Sequence, residues 1–164
     1  MEHPGADGVR LWPFLDAYGG YRRLTSGRVL GLKLSHGRGH LLRATIEGLC
    51  FELARQLGWL TEAGCPVSRV IMCGGAARSR ITPQIVADIT GCTVVCPSES
   101  EISALGASML ARAIVESDAA METVCRAMAA PAREVRPGPA VSAYAEMLRD
   151  YVTAVDAASR CVCK

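Results

Sequence analysis

Two short apolar runs, Val67 to Cys73 (VSRVIMC) and Thr93 to Cys96 (TVVC), flank a segment that starts at Thr82-Pro83 and stops at Gly91. Runs of that length, rich in β-branched residues and bounded by Gly or Pro, suit buried strands. Between them, Thr82 can cap free N–H groups, Pro83 at the first helical position forfeits no bond, and Gln84 to Thr90 completes a helix that ends at Gly91. Strand, helix and strand so closely linked predict a parallel pair with a right-handed crossover, and hence an α/β fold.

The rest of the chain extends that layer. Residues 1 to 26 read as an irregular lead-in with Gly5, Gly8, Gly19, Gly20, Pro4 and Pro13, and Gly27 to Leu34 (GRVLGLKL) as a short strand. From about Gly39 to Glu62, Leu42, Ile46, Leu49, Leu53, Leu57 and Leu60 recur at steps of three and four, which predicts a long amphipathic helix with that stripe inward. Ser98 or Ser100 can cap a further helix running to Glu116 with Leu105, Met109 and Ile114 inward, and a shorter helix is expected near 118 to 129. PAREVRPGPA reads as a Pro-rich connector. A last helix, about 141 to 158, carries Tyr144, Leu148, Tyr151 and Val155 on one face. The division is therefore 1–26 as lead-in, 27–130 as the main domain and 131–164 as connector and terminal helix. A sheet of two or three strands cannot cover its own edges and faces, so more sheet is expected than this chain supplies.

Composition excludes several classes. With 164 residues there is room for one ordinary domain, and 50% apolar against 21% charged residues makes it a packed one. Eighteen Lys and Arg against sixteen Asp and Glu, with 5% aromatics, do not make a nucleic-acid-binding face. No apolar run reaches the roughly 18 residues of a membrane span, and Met1 to Arg10 lacks a signal-peptide core; a cytoplasmic protein is expected. The eight cysteines stand apart and fit reduced thiols, Cys50, Cys73 and Cys92 as small hydrophobes, with the Cys161-x-Cys163 pair a minor metal possibility.

The chemistry concentrates after the first strand. Gly74 and Gly75 lie at a strand's carboxyl end, where open α/β sheets bind ligands, and bare backbone lets a flat group come close. Ala76 and Ala77 keep the turn slim, and Ser79 offers a hydroxyl to a base or ribose. The same turn also reads as a plain strand-to-helix link. Neither GxGxxG nor GxxxxGK[ST] is present. His36 and His40 could share a helix face, with capping or surface packing favoured over metal ligation; Glu47 reads as solvated, Gly48 as a point of close helix-to-sheet approach, and Asp88 as a partner of a neighbouring helix rather than a magnesium ligand.

Two motifs resemble the C-terminal domain of the FGGY carbohydrate kinases. One is Gly27-x-Val29-x-Gly31-Leu32, seven residues, then His40-Leu41-x-x-Ala44-Thr45-Ile46-Glu47. The other is GGAARS followed by Gln84, Ala87-Asp88, Gly91, Val94, Pro97, Glu101 and Ala104-Leu105-Gly106-Ala107. The resemblance implies part of an actin-like ATPase lobe of the ribonuclease H type, with short parallel strands and flanking helices. It further implies an ATP site in which Gly74, Gly75 and Ala76 line adenine and ribose and Ser79 approaches the adenine, with Gln84, Glu101 and Gly106 supporting the pocket.

The resemblance has gaps. Ala76 replaces a frequent third glycine, and Pro83 is expected to delay the helix and shift Ser79. The DxGT-type loop, the magnesium carboxylates and the sugar site belong in such kinases to an N-terminal lobe not recognisable here. The implied partners are therefore that lobe, the sugar it binds, ATP and its magnesium. Two functions follow as expectations: the ATP-binding portion of a sugar kinase, inactive alone, or a non-catalytic interaction module that pairs with a partner chain or forms a homo-oligomer. An actin-like ATPase of the bacterial activator type is a third, disfavoured by the match at 27 to 47.

Overall fold

The structure, a computed structural model, describes residues 3–14, 27–99, 101–116 and 120–161. The Ser100 cap and the Cys161 and Cys163 side chains lie outside the described residues. A 3-10 turn (Ala6–Gly8) leads into β1 (Arg10–Trp12), which pairs antiparallel with β2 (Arg28–Leu30). The long helix α1 (Arg38–Glu62) follows, then β3 (Arg69–Ile71), a 3-10 turn (Gly75–Arg78), α2 (Thr82–Thr90) and β4 (Thr93–Pro97). Helices α3 (Ile102–Val115) and α4 (Met121–Met128), strand β5 (Ala132–Val135) and helix α5 (Val141–Cys161) complete the order.

The second sheet has the order β3-β4-β5, with β3 parallel and β5 antiparallel to the buried centre strand β4. The β-α-β expectation therefore holds, with two corrections. The Val67–Cys73 run is not buried on both faces: β3 forms the sheet edge and Ile71 is 70% exposed. The stretch read as a Pro-rich connector contains β5, because Ala132 to Val135 is free of proline and pairs Val135 with Val94 and Ala132 with Pro97. The boundary drawn at 130 thus cuts through a sheet. Likewise the lead-in is not irregular at 10–12, where β1 forms.

Helix α1 runs where its periodicity placed it, yet its inward face differs. Ala44, Glu47, Gly48, Phe51, Ala54 and Arg55 are buried, while Leu42, Leu49 and Leu60 are exposed. Small residues decide this, because they let backbone come closer than a leucine stripe can. A Cβ on Gly48 would lie 2.3 Å from the Leu11 carbonyl oxygen, so only glycine lets β1 press onto the helix. In α5 the expected stripe holds: Tyr144, Tyr151 and Val155 are buried, and Phe51 meets Tyr144 edge-on and stacks on Tyr151. Cys50 is buried against this core, and burial pushes its thiol up to about 12, so it packs as a neutral hydrophobe. Cys92 is buried likewise, whereas Cys73 is exposed.

Glu47, read as solvated, is the structural centre of the first half. It is 1% exposed, and its Oε1 accepts hydrogen bonds from Arg43 Nε (2.7 Å), the Tyr144 hydroxyl (2.6 Å) and the backbone N–H of Gly5 (2.9 Å). Three segments far apart in sequence meet on one oxygen. Burial and the bond to Glu47 raise the Tyr144 phenol well above its ordinary value, so it stays a donor. Glu47→Ala strips the buried Tyr144 hydroxyl and Gly5 N–H and the partly buried Arg43 of their common acceptor and should lower unfolding stability by roughly 3–5 kcal/mol, read from the urea midpoint; a midpoint equal to that of the parent protein would contradict this role.

Candidate functional site

The ladder between β3 and β4 runs one step past the strand, Met72 N–H donating to Val95 O at 2.8 Å, before the chain turns at Gly74. Gly74 has φ 74° and ψ −159°, a region open essentially to glycine alone. A Cβ built on Gly74 or on Gly75 would meet nothing within 4 Å. The space before this backbone is therefore open, and it lies at the carboxyl end of a parallel strand. Gly75 and Ala76 are exposed, and the turn is anchored from beneath by buried Ala77.

Ser79 closes the turn and starts the next helix. Its Oγ accepts from the N–H of Ile81 (3.3 Å), the N–H of Thr82 (3.2 Å) and the Thr82 hydroxyl (2.9 Å). Ser79, not Thr82, is thus the side chain that receives the first N–H of α2, together with that of the preceding Ile81. The expected delay by Pro83 does not occur: α2 begins at Thr82, with Pro83 buried in its first turn. Two N–H groups held by one hydroxyl offset the bias that Pro83 imposes on Thr82. The Ser79 oxygen is committed to the cap, which leaves its proton to donate outward.

Gly74, Gly75, Ala76 and Ser79 therefore share one turn. Gln84 does not open onto it; its Nε2 donates to Asp88 Oδ1 (2.8 Å) and to Arg136 O (3.0 Å). Asp88 also accepts from the Gly138 N–H at 2.6 Å, so these two side chains pin the segment after β5 onto α2. Glu101 immediately precedes α3 and Gly106 lies on it; the helix packs chiefly on α4 and buries none of its residues. Ile114, expected inward, is 79% exposed.

Of the two histidines only His40 caps: its Nδ1 accepts from the Gly37 N–H at the start of α1, whereas Nδ1 of His36 accepts from the Lys33 N–H and closes the turn before the helix. With Nδ1 accepting, the neutral His40 ring carries its proton on Nε2, 3.1 Å from Asp7 Oδ2. Among the described residues no three His, Cys, Asp or Glu side chains gather to hold a metal ion. The turn offers shape and backbone groups without a carboxylate base or metal ligand.

Sequence reasoning missed one feature. An open cavity of about 560 Å³ adjoins the turn, lined by Ala77 and Arg78, by Cys96 to Ser98 and by Pro131 to Arg133. Its third wall is β5, hidden by the flanking prolines; the extended Arg133-Glu134-Val135 run was the available signal.

Comparison with known proteins places the whole arrangement. Residues 18–114 match the model of the FGGY family of carbohydrate kinases, C-terminal domain. The chain is 38% identical to a gluconokinase of Bacillus licheniformis over 110 residues, which is 65% of this chain and 21% of that protein. A glycerol kinase of Clostridium beijerinckii is 36% identical over 100 residues, 60% of this chain and 19% of the relative. Among solved structures, xylulose kinase from Rhodospirillum rubrum superposes with TM-score 0.77 at 26% identity, over 99% of this chain and 33% of that one. Plasmodium falciparum glycerol kinase with ADP shares the fold, with TM-score 0.76 at 18% identity. The chain thus spans about a fifth of the length of the curated relatives it matches.

The cap geometry makes a direct prediction. Ser79→Ala, which removes the acceptor shared by the Ile81 and Thr82 N–H groups, should cost about 1 kcal/mol of unfolding stability; a urea midpoint equal to that of the parent protein would remove Ser79 from this role.

Proposed function

The chain belongs to the FGGY family of carbohydrate kinases, as a C-terminal domain, and we propose that it is the ATP-binding portion of an enzyme that transfers the γ-phosphoryl group of ATP to a sugar hydroxyl. Kinases of this family use ATP. The observation that carries the reading is the open backbone at Gly74 and Gly75, where a flat purine can lie against the chain without meeting a side chain. The residue set fits the nucleoside: Gly74, Gly75 and Ala76 form the bed and the Ser79 hydroxyl donates to a ring or ribose acceptor. Gln84 acts at one remove, through Asp88 and the segment after β5, by holding α2 beneath the turn. Glu101 and Gly106 come into use only once α3 is packed against more protein.

When bound, ATP supplies the phosphoryl group and its magnesium the charge neutralisation. This chain's part is to bind and orient the nucleoside. Magnesium finds no carboxylate cluster among the described residues, so the metal, the base and the sugar are assigned to other protein, and the chain acting alone binds nucleotide without turnover. Gluconate, xylulose and glycerol, named by the relatives, frame the substrate class as a polyhydroxylated small molecule in a cytoplasmic setting.

Isothermal titration with adenosine, ADP and ATP tests this. Adenosine should bind the parent protein and not Gly75→Val, whose side chain fills the open space while the melting temperature stays unchanged. Absence of heat with all three ligands would overturn the nucleotide reading.

A second reading, a non-catalytic interaction module, is favoured by one observation. The apolar helix α3 buries nothing, and the open β3 edge and exposed Val29, Leu30, Leu32 and Leu34 add unpaired and apolar surface. Such surface calls for a covering chain. Size-exclusion chromatography should then show self-association or a bound partner, with dye binding at the apolar faces; a monodisperse, dye-silent monomer would contradict both readings' need for additional protein.

A further inference from the structure

The cavity beside the turn is unbalanced in charge. Arg78 and Arg133 line it and no carboxylate does. Many arginines of this chain are neutralised: Arg43 by Glu47, Arg55 by Glu52 and Asp156, Arg69 by Glu134, Arg112 by Glu116 and Arg126 by Glu122. A second cavity of about 570 Å³, between α1 and α5, carries Arg55 and Arg149 together with Glu62 and Asp156. Arg78 and Arg133 have no carboxylate partner among the described residues. Arg133 Nη2 makes a long hydrogen bond to Ala77 O (3.4 Å), which brings the guanidinium to the turn and leaves further N–H donors.

Around this charge the walls are short and stiff. Ala77, Pro97, Pro131 and Ala132 are apolar, and Ser98, whose N–H is bonded to Pro131 O, adds a hydroxyl at the rim. Two guanidiniums in a concave, partly apolar site concentrate positive potential, and their planar forks match the oxygens of a phosphate. A doubly charged phosphomonoester answers two cations better than a singly charged carboxylate does. The volume suits a small molecule rather than a polymer.

We propose that this cavity binds a small phosphomonoester, with its phosphate on Arg78 and Arg133 and the Ser98 hydroxyl and its body against Pro97, Pro131 and Ala132. The cavity adjoins the nucleoside bed through the shared Gly75–Arg78 turn, but Gly74, Gly75, Ala76 and Ser79 do not line it. The ester has two possible sources, a sugar phosphate or a nucleoside monophosphate.

Titrations with inorganic phosphate, 6-phosphogluconate and AMP test the proposal on the parent protein, the Arg78→Gln/Arg133→Gln double variant and Gly75→Val. At least one ester should bind saturably, weaken with added salt, lose roughly tenfold or more in affinity in the double variant and persist in Gly75→Val. Preference for 6-phosphogluconate assigns the sugar ester, and preference for AMP that survives Gly75→Val assigns the nucleotide. Arg133→Lys, which keeps the charge and loses the fork, should fall between. Both arginines are exposed, so the double variant should keep the parent melting temperature. Absence of saturable binding by all three probes, or equal affinity in the double variant, overturns the site. Adenosine carries no phosphate, so its loss in Gly75→Val is scored independently of this result.

Discussion

One buried carboxylate oxygen joins the parts of this chain that sequence separates most. Glu47 receives the backbone of the N-terminal turn, its helical neighbour Arg43 and the hydroxyl of Tyr144 from the last helix. Such a group is weak evidence of net stability, because desolvation of both charges offsets much of their attraction. Its consequence is specificity: a shift of either terminal segment would strand a charge in low dielectric. Phe51, packed between Tyr144 and Tyr151, extends the same junction into the apolar core. The far end of α1 repeats the pattern, with both oxygens of Glu52 accepting from Arg55.

From that frame the site inherits its position. Helix α1 packs on α2 and α2 on β4, so the turn after β3 stands on a fixed floor of Ala77, Ile85 and Val86. The turn works by what it lacks, since Gly74 takes a conformation barred to other residues and no side chain crosses the space before it. Ser79 couples this bare backbone to the start of α2 and so keeps the slot and helix in register.

The exposed surfaces follow from strand order. With β3 at the sheet edge and α3 packed chiefly on α4, apolar residues of both elements meet solvent in this chain. The relatives are about three times as long, and the fold they share with this chain is the C-terminal lobe of an actin-like kinase.

Local signals were enough for the helices and the turn. The three-to-four periodicity of α1 and α5, the Gly stop of α2 and the strand-glycine junction at Gly74 all act within a few residues, so their positions were legible, as were the two motifs spanning 27 to 107. Tertiary packing decided the rest. The burial of Glu47 depends on Tyr144, ninety-seven positions away, and no local rule distinguishes it from a solvated glutamate. The rotation of α1 away from its leucines follows from the approach of β1 at Gly48, and β5 exists because β4 had an edge to offer. The Arg78 and Arg133 cavity likewise joins residues from three elements, and charge brought together by long-range strand pairing leaves no spacing to read along the chain.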